Sequence, residues 1–174
     1  MTEPEFSRPV RADTLGEEPR TLSIEAADDE RAALARRFGL VAIGRLAAEL
    51  ALSRKADEIT MRGTVSAAVT QACVATGAPV EAAVETNVDL RFRPQPGAEA
   101  DDEIELGEEE LDVLFYDGAA VDAGEAVAET LSLALDPYPR APGAEAALKA
   151  AGVKSEEEAG PFAALAALRD KLQP

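Results

Sequence analysis

Apolar and polar positions alternate most clearly in two neighbouring stretches of the chain. Met61, Val65, Ala67 and Val69 do so within Ile59–Thr76, and Val84, Val88, Leu90 and Phe92 within Val80–Arg93. A period of two puts successive side chains on opposite faces of a pleated strand. Gly77-Ala78-Pro79 between the stretches is turn punctuation, so the pattern predicts two long, consecutive, antiparallel strands. Phe6–Val10 and Thr21–Ala26 are shorter β-like segments, and Leu111–Tyr116 is another, ending in an Asp117-Gly118 turn. Val41–Leu52 is ambiguous. Its alanines suit a helix, while Gly44 and the sets Val41, Ile43 and Leu46, Ala48, Leu50, Leu52 lean towards a strand.

Helical spacing appears in three places. Asp28 or Asp29 is placed to cap a helix through Arg37, with Leu34 and Phe38 on one face and Gly39 suited to the left-handed residue that ends it. Asp122 with Glu125 three residues on reads as a capping box, opening a helix whose inner face is Val127, Leu131, Ala134 and Leu135. That helix stops near Leu135, because Pro137 disfavours helical geometry at Asp136. After a Pro/Gly/Ala segment, Pro139–Gly160, with a weak helical patch at Ala144–Ala151, a short amphipathic helix is predicted over Pro161–Leu172. The expected fold class is α+β: a mainly antiparallel sheet, which a half-barrel curl would suit and whose closure into a barrel the sequence leaves open, within a domain over 1–140 that holds an acidic loop at 94–110. Residues 141–174 are expected to be a linker and a short C-terminal helix.

Charge changes this picture by dividing the chain. Residues 1–93 carry 12 basic and 15 acidic side chains, whereas residues 94–174 carry 5 and 19, giving a net charge of −17 over 174 residues. Between Glu99 and Glu129 there are 13 acids and no Lys or Arg. An anionic surface attracts cationic proteins and repels phosphate backbones, so DNA is not an expected partner. No segment approaches the ~20 apolar residues that span a bilayer, and the first residues lack the basic and apolar regions of a signal peptide. With a single cysteine, the expected setting is a reducing cytoplasm.

Composition also removes several chemistries. The chain has no His and one Cys, which excludes Ser-His-Asp and Cys-His catalysis, His-based metal sites and multi-cysteine zinc sites. Neither a phosphate-binding glycine loop nor a nucleophile elbow occurs. Cys73, without an imidazole to activate it, reads as a small half-buried apolar residue at mid-strand or strand end. Asp101–Glu110 lacks the alternate spacing of a calcium loop, and Asp117-Gly118…Asp122 supplies only two carboxylates. Arg91-Phe92-Arg93 is the one place where cations interleave with an aromatic, the pattern that clamps single-stranded RNA, although solvated charge is the simpler reading. No catalytic, cofactor-binding or metal-binding residue is expected, and no cofactor.

Three stretches together resemble a known family. Gly63–Val80 reads Gly-Thr-Val-Ser-Ala-Ala-Val-Thr-Gln-Ala-Cys-Val-Ala-Thr-Gly-Ala-Pro-Val. Val121–Arg140 runs from Val-Asp-Ala-Gly-Glu to Asp-Pro-Tyr-Pro-Arg, and the end holds Pro-Phe-Ala-Ala-Leu-Ala-Ala-Leu-Arg. In order and spacing, with an acidic loop between, they resemble the YceD family of large ribosomal RNA subunit accumulation proteins. The resemblance implies a non-enzymatic factor in large ribosomal subunit assembly, acting by binding ribosomal proteins, assembly factors or, directly or indirectly, rRNA. Many relatives carry a Cys-x-x-Cys in the first stretch. The matching positions here are Thr70 and Cys73, so the pair is broken and no metal or redox role carries over. The positions the resemblance implies as interaction residues are Gln71, Cys73, Glu129, Asp136, Pro137, Pro139, Arg140 and Phe162. Leu165 and Leu168 join Phe162 on the apolar face of the terminal helix, which suits either a partner's groove or this protein's own sheet. The remaining alternatives are an acidic adaptor unrelated to ribosomes and a carboxylate–metal enzyme.

Overall fold

The architecture was analysed in a computed structural model that describes residues 4–95 and 113–153. The acidic stretch from Gly97 to Glu110 and the predicted terminal helix, with Phe162, Leu165 and Leu168, lie outside the described residues. Seven strands and three α-helices occur among those described: β1 (Pro9–Arg11), β2 (Arg20–Glu25), α1 (Asp28–Phe38), β3 (Ala42–Lys55), β4 (Glu58–Ala72), β5 (Pro79–Pro94), β6 (Val113–Tyr116), β7 (Ala120–Asp122), α2 (Ala123–Ala134) and α3 (Ala144–Ala150). The chain divides into two compact units. One holds the residues up to Gln71 with Glu81–Pro137, and the other holds Ala72–Val80 with the chain from Tyr138 onwards.

In the first unit, β2-β3-β4-β5-β6 form one open five-stranded sheet, and β1 pairs with β7 in a separate two-stranded ribbon. The sheet's inner face is built by the predicted alternation: Leu46, Leu50 and Leu52 on β3, Ile59, Met61 and Val65 on β4, and Val88 and Phe92 on β5 are all buried. Leu34 of α1 and Val127 and Leu131 of α2 belong to the same apolar cluster. Val41–Leu52 resolves in favour of a strand. Its two out-of-phase apolar sets have a physical cause, because the β3–β4 register shifts between Ile43 and Arg45. An extra residue there, at Gly44, moves the inward positions from odd to even numbers.

Several boundaries differ from the sequence reading. The residue preceding α1 is Ala27, whose N–H is held by the Glu30 carboxylate at 2.7 Å; Asp28 and Asp29 fall in the first turn and do not cap. Gly39 ends the helix at φ 66°, as its lack of a Cβ predicts. Asp122 does cap α2, accepting from the N–H groups of Gly124 and Glu125 at 2.9 and 3.1 Å. Glu125, however, turns away to bind Arg37, so the reciprocal half of the box is absent, and Ala134 faces solvent. The two long strands stop earlier and start sooner than predicted, at Ala72 and Pro79.

The largest topological departure is β6. It pairs parallel to β5, with Arg91 opposite Val113 and Pro94 opposite Tyr116. A parallel pair needs a connection of a dozen or more residues, and residues 95–112 supply 18. The sheet is therefore mixed.

Gly124 shows why the N-terminal segment lies where it does. A Cβ at that position would stand 2.0 Å from the Phe6 carbonyl oxygen, so only glycine lets the backbone of α2 meet the chain that leads into β1. Phe6 itself is fully buried.

The second unit is small. Residues 73–78 make a six-residue loop after β4, closed by a Cys73 N–H bond to the Ala78 carbonyl and a Gly77 N–H bond to the Cys73 carbonyl, both 2.8 Å. Gly77 sits at φ 72°, where a side chain would be strained. Val74 N–H donates to the Pro139 carbonyl at 2.9 Å, which ties the loop to the segment leading into α3.

Candidate functional site

Six of the eight residues singled out by resemblance lie in two places, one in each unit. In the first unit, Gln71 is buried at the end of β4, and its side-chain amide donates to the Asp136 carbonyl at 2.8 Å, across 65 positions of sequence. A buried amide without a partner costs about 1–3 kcal/mol, so this bond fixes the chain beyond α2 against the strand. Asp136 and Pro137 have their side chains at the surface. Glu129 stands apart, exposed on α2.

In the second unit, Cys73 lies in the loop rather than inside a strand, and only 3% of it is exposed. Its thiol is held well below the ordinary cysteine range, at about 7. The main cause is the N–H of Ala141, followed by the Thr76 hydroxyl, with the N–H groups of Ala75 and Thr76 adding to it. Hydrogen bonds to the charged form favour it over the neutral one. Reading the sequence for an imidazole or a neighbouring cation missed this, because the donors are backbone groups that any residue carries. Pro139 is buried here and Arg140 is exposed. The arrangement favours negative charge on sulfur, and the chain has no imidazole to move a proton there.

Eight of the eleven arginines of the first half are in ion pairs within the protein. Arg8 forks onto Glu30 at 2.7 and 2.8 Å and stacks over the Phe6 ring at 4.6 Å. Arg37 takes Glu125 at 2.6 and 3.0 Å and Glu5 at 3.1 Å. Arg31 binds Asp28, Arg11 binds Asp13, and Arg62 binds Asp89. The Arg-Phe-Arg pattern does not form a stacking platform: Phe92 is buried in the core and Arg93 is paired with Glu58 at 2.9 Å. An open cleft of about 460 Å³ beside Arg11 and Arg54 offers no free guanidinium either, since Arg54 bonds the carbonyls of Ala12 and Ala56.

Carboxylates are left in excess at the surface. Asp117 and Asp122 are both used by backbone N–H groups, and no cluster of three potential metal ligands occurs among the described residues. On β5, Glu81, Glu85 and Asp89 recur every fourth residue on the outer, exposed face, and of the three only Asp89 has an ion-pair partner among the described residues. The sequence carried this signal in the same alternation that predicted the strand. No described helix is long and apolar enough to cross a membrane.

Comparison with protein families gives one result: residues 61–169 match the model of the large ribosomal RNA subunit accumulation protein YceD. No curated protein and no solved structure matches.

Proposed function

The chain belongs to the YceD family of large ribosomal RNA subunit accumulation proteins, and from that premise we propose that it is a non-enzymatic factor in large ribosomal subunit assembly. It works by binding, in the cytoplasm, and its partners are basic ribosomal proteins or assembly factors. Contact with rRNA runs through them. The observation that carries this reading is the allocation of charge. Eight of the twelve cations in residues 1–93 are held in internal ion pairs, which leaves few of them to track phosphates, while the net charge of −17 favours cationic partners. Unpaired surface charge steers association and selects the sign of the partner, whereas exposed internal pairs add little to either.

Depleting the protein is expected to lower large-subunit rRNA relative to small-subunit rRNA and to leave precursor particles. An unchanged ratio with a normal subunit profile refutes the assembly role. Affinity capture at low and moderate salt separates this reading from an acidic adaptor with unrelated partners: ribosomal proteins in the first case, other cationic proteins in the second.

A further inference from the structure

One long backbone edge in the first unit has no partner among the described residues. β5 is bordered by β4 on one side and by β6 on the other, but β6 covers only Arg91–Pro94. Over Glu81–Leu90 no described strand pairs with the outer edge. Ten residues of strand extend about 33 Å at ~3.3 Å per residue, a long edge to be without a strand partner among the described residues. Edges are usually blunted by proline, lysine, a bulge or an inward-pointing charge. The segment Glu-Ala-Ala-Val-Glu-Thr-Asn-Val-Asp-Leu has neither proline nor lysine, and its inward set is Ala82, Val84, Thr86, Val88 and Leu90.

We propose that this edge of β5 takes a basic, extended polypeptide segment of a partner protein as an added strand. The proposal rests on the assembly-factor reading above and specifies how such a partner is held. Backbone hydrogen bonds would supply the affinity, and the two faces of the edge would set the specificity. On the outer face, Glu81 and Glu85 are exposed and in no ion pair among the described residues. A strand with Lys or Arg at alternate positions would set its cations beside them, the favourable sign for neighbours on adjacent strands. A shallow depression of about 200 Å³, lined by Arg45, Ser66, Ala68, Ala83 and Glu85, lies on that face. Its serine and alanine side chains leave room for an aliphatic stem whose charged end reaches Glu85, while Arg45, which also lines it, is paired with Glu25 at 3.8 Å. On the inner face, Ala82 and Val84 are only half-buried, so an apolar residue of the added strand would extend the core.

Charge also decides against the other occupants. A second copy paired antiparallel about Glu85 would set Glu85 against Glu85 and Glu81 against Asp89, like charges opposite one another. Nucleic acid would meet the same carboxylates with its phosphates.

The test uses the full chain at low salt with a labelled peptide of about ten residues, alternating Lys with Val or Thr, and the same peptide N-methylated at alternate residues. The parent peptide is expected to bind and to protect amides within residues 81–90 from hydrogen exchange. N-methylation should weaken it by about tenfold or more, since several ladder bonds are lost at once. The double variant Glu81→Lys/Glu85→Lys should weaken it by a similar factor, about tenfold. Equal affinity for the N-methylated peptide, absence of binding, or protection confined to another region overturns the proposal. So does protection of residues 81–90 without peptide that disappears when residues 98–110 are deleted, because the occupant is then this chain's own acidic stretch. The two readings fail separately. If depletion lowers the rRNA ratio and the double variant restores it fully, the edge is not the contact and the assembly role stands. If depletion leaves the ratio unchanged while the peptide still binds the edge, the assembly role fails alone.

Discussion

The corner where β1, α1 and α2 meet and the outer edge of β5 use the same side chains differently. At the corner, Glu30 accepts both guanidinium nitrogens of Arg8, Glu125 accepts both of Arg37, and Asp122 receives the Ser7 hydroxyl at 2.5 Å and the Arg8 N–H at 2.7 Å while capping α2. Each of these three carboxylates joins segments far apart in sequence. Along β5, Glu81 and Glu85 reach outwards with no ion-pair partner among the described residues. The first region shows charge as a fastening of the N-terminal segment to the helices. The second shows charge left available, on a strand whose backbone is also available. Composition alone would count these carboxylates together.

Substitutions should therefore separate the two regions, and the largest effect belongs to the corner. Gly124→Ala forces a methyl group into the Phe6 carbonyl, and a loss of about 3 kcal/mol is expected from urea unfolding. A loss below about 1 kcal/mol would mean that the close approach of α2 to the N-terminal segment is not rigid.

Asp122→Ala comes next. It removes the cap together with the anchors of Ser7 and Arg8, and about 2 kcal/mol is expected. Asp122→Asn, which keeps an accepting oxygen, should recover part of that; if both variants match wild type, the corner is held by packing alone.

Acid should weaken the corner by less. The Arg8 guanidinium, by hydrogen bonding, holds the Glu30 carboxyl below the usual carboxylate range, against a smaller opposing effect of burial. A depressed folded-state value means stability that is present above the unfolded value and lost as pH falls through the folded one. From about pH 5 downwards the wild type should lose up to about 1 kcal/mol through this pair, since both partners are partly solvated. Arg8→Met should flatten that slope, and parallel pH profiles for the two proteins would remove the pair from the account.

The smallest effect on stability is expected on the β5 edge. Glu81→Gln/Glu85→Gln should change unfolding free energy by no more than about 0.5 kcal/mol, because both carboxylates are exposed and neither has an ion-pair partner among the described residues. A cost as large as that of Asp122→Ala would erase the distinction between the regions.

Much of the site was legible, but unevenly. The order of Gly63–Val80, Val121–Arg140 and the C-terminal stretch pointed to the family, and its matching residues included Gln71 and Asp136, which the fold joins by a hydrogen bond. It also pointed to Cys73 and Pro139, but not to what happens at the sulfur. The groups that favour the thiolate are N–H groups of Ala75, Thr76 and Ala141 and one hydroxyl, and backbone donors have no signature in sequence. The Arg-Phe-Arg pattern misled for a related reason. Alternation gives which residues share a face, not which face is covered, and Phe92 went to the core.

By itself, the sequence determined the elements whose signals are local. These are the alternation of β4 and β5, the glycine that ends α1, the aspartate that opens α2 and the sign of the surface charge. Local steric and hydrogen-bonding preferences act within a few residues, so a few residues suffice to read them. Only the tertiary structure decided the parallel pairing of β6, the register shift at Gly44, the partner of each arginine and the stretch of β5 left uncovered among the described residues. Each depends on residues brought together across long loops, where the energy lies in the pair and neither sequence neighbourhood contains it.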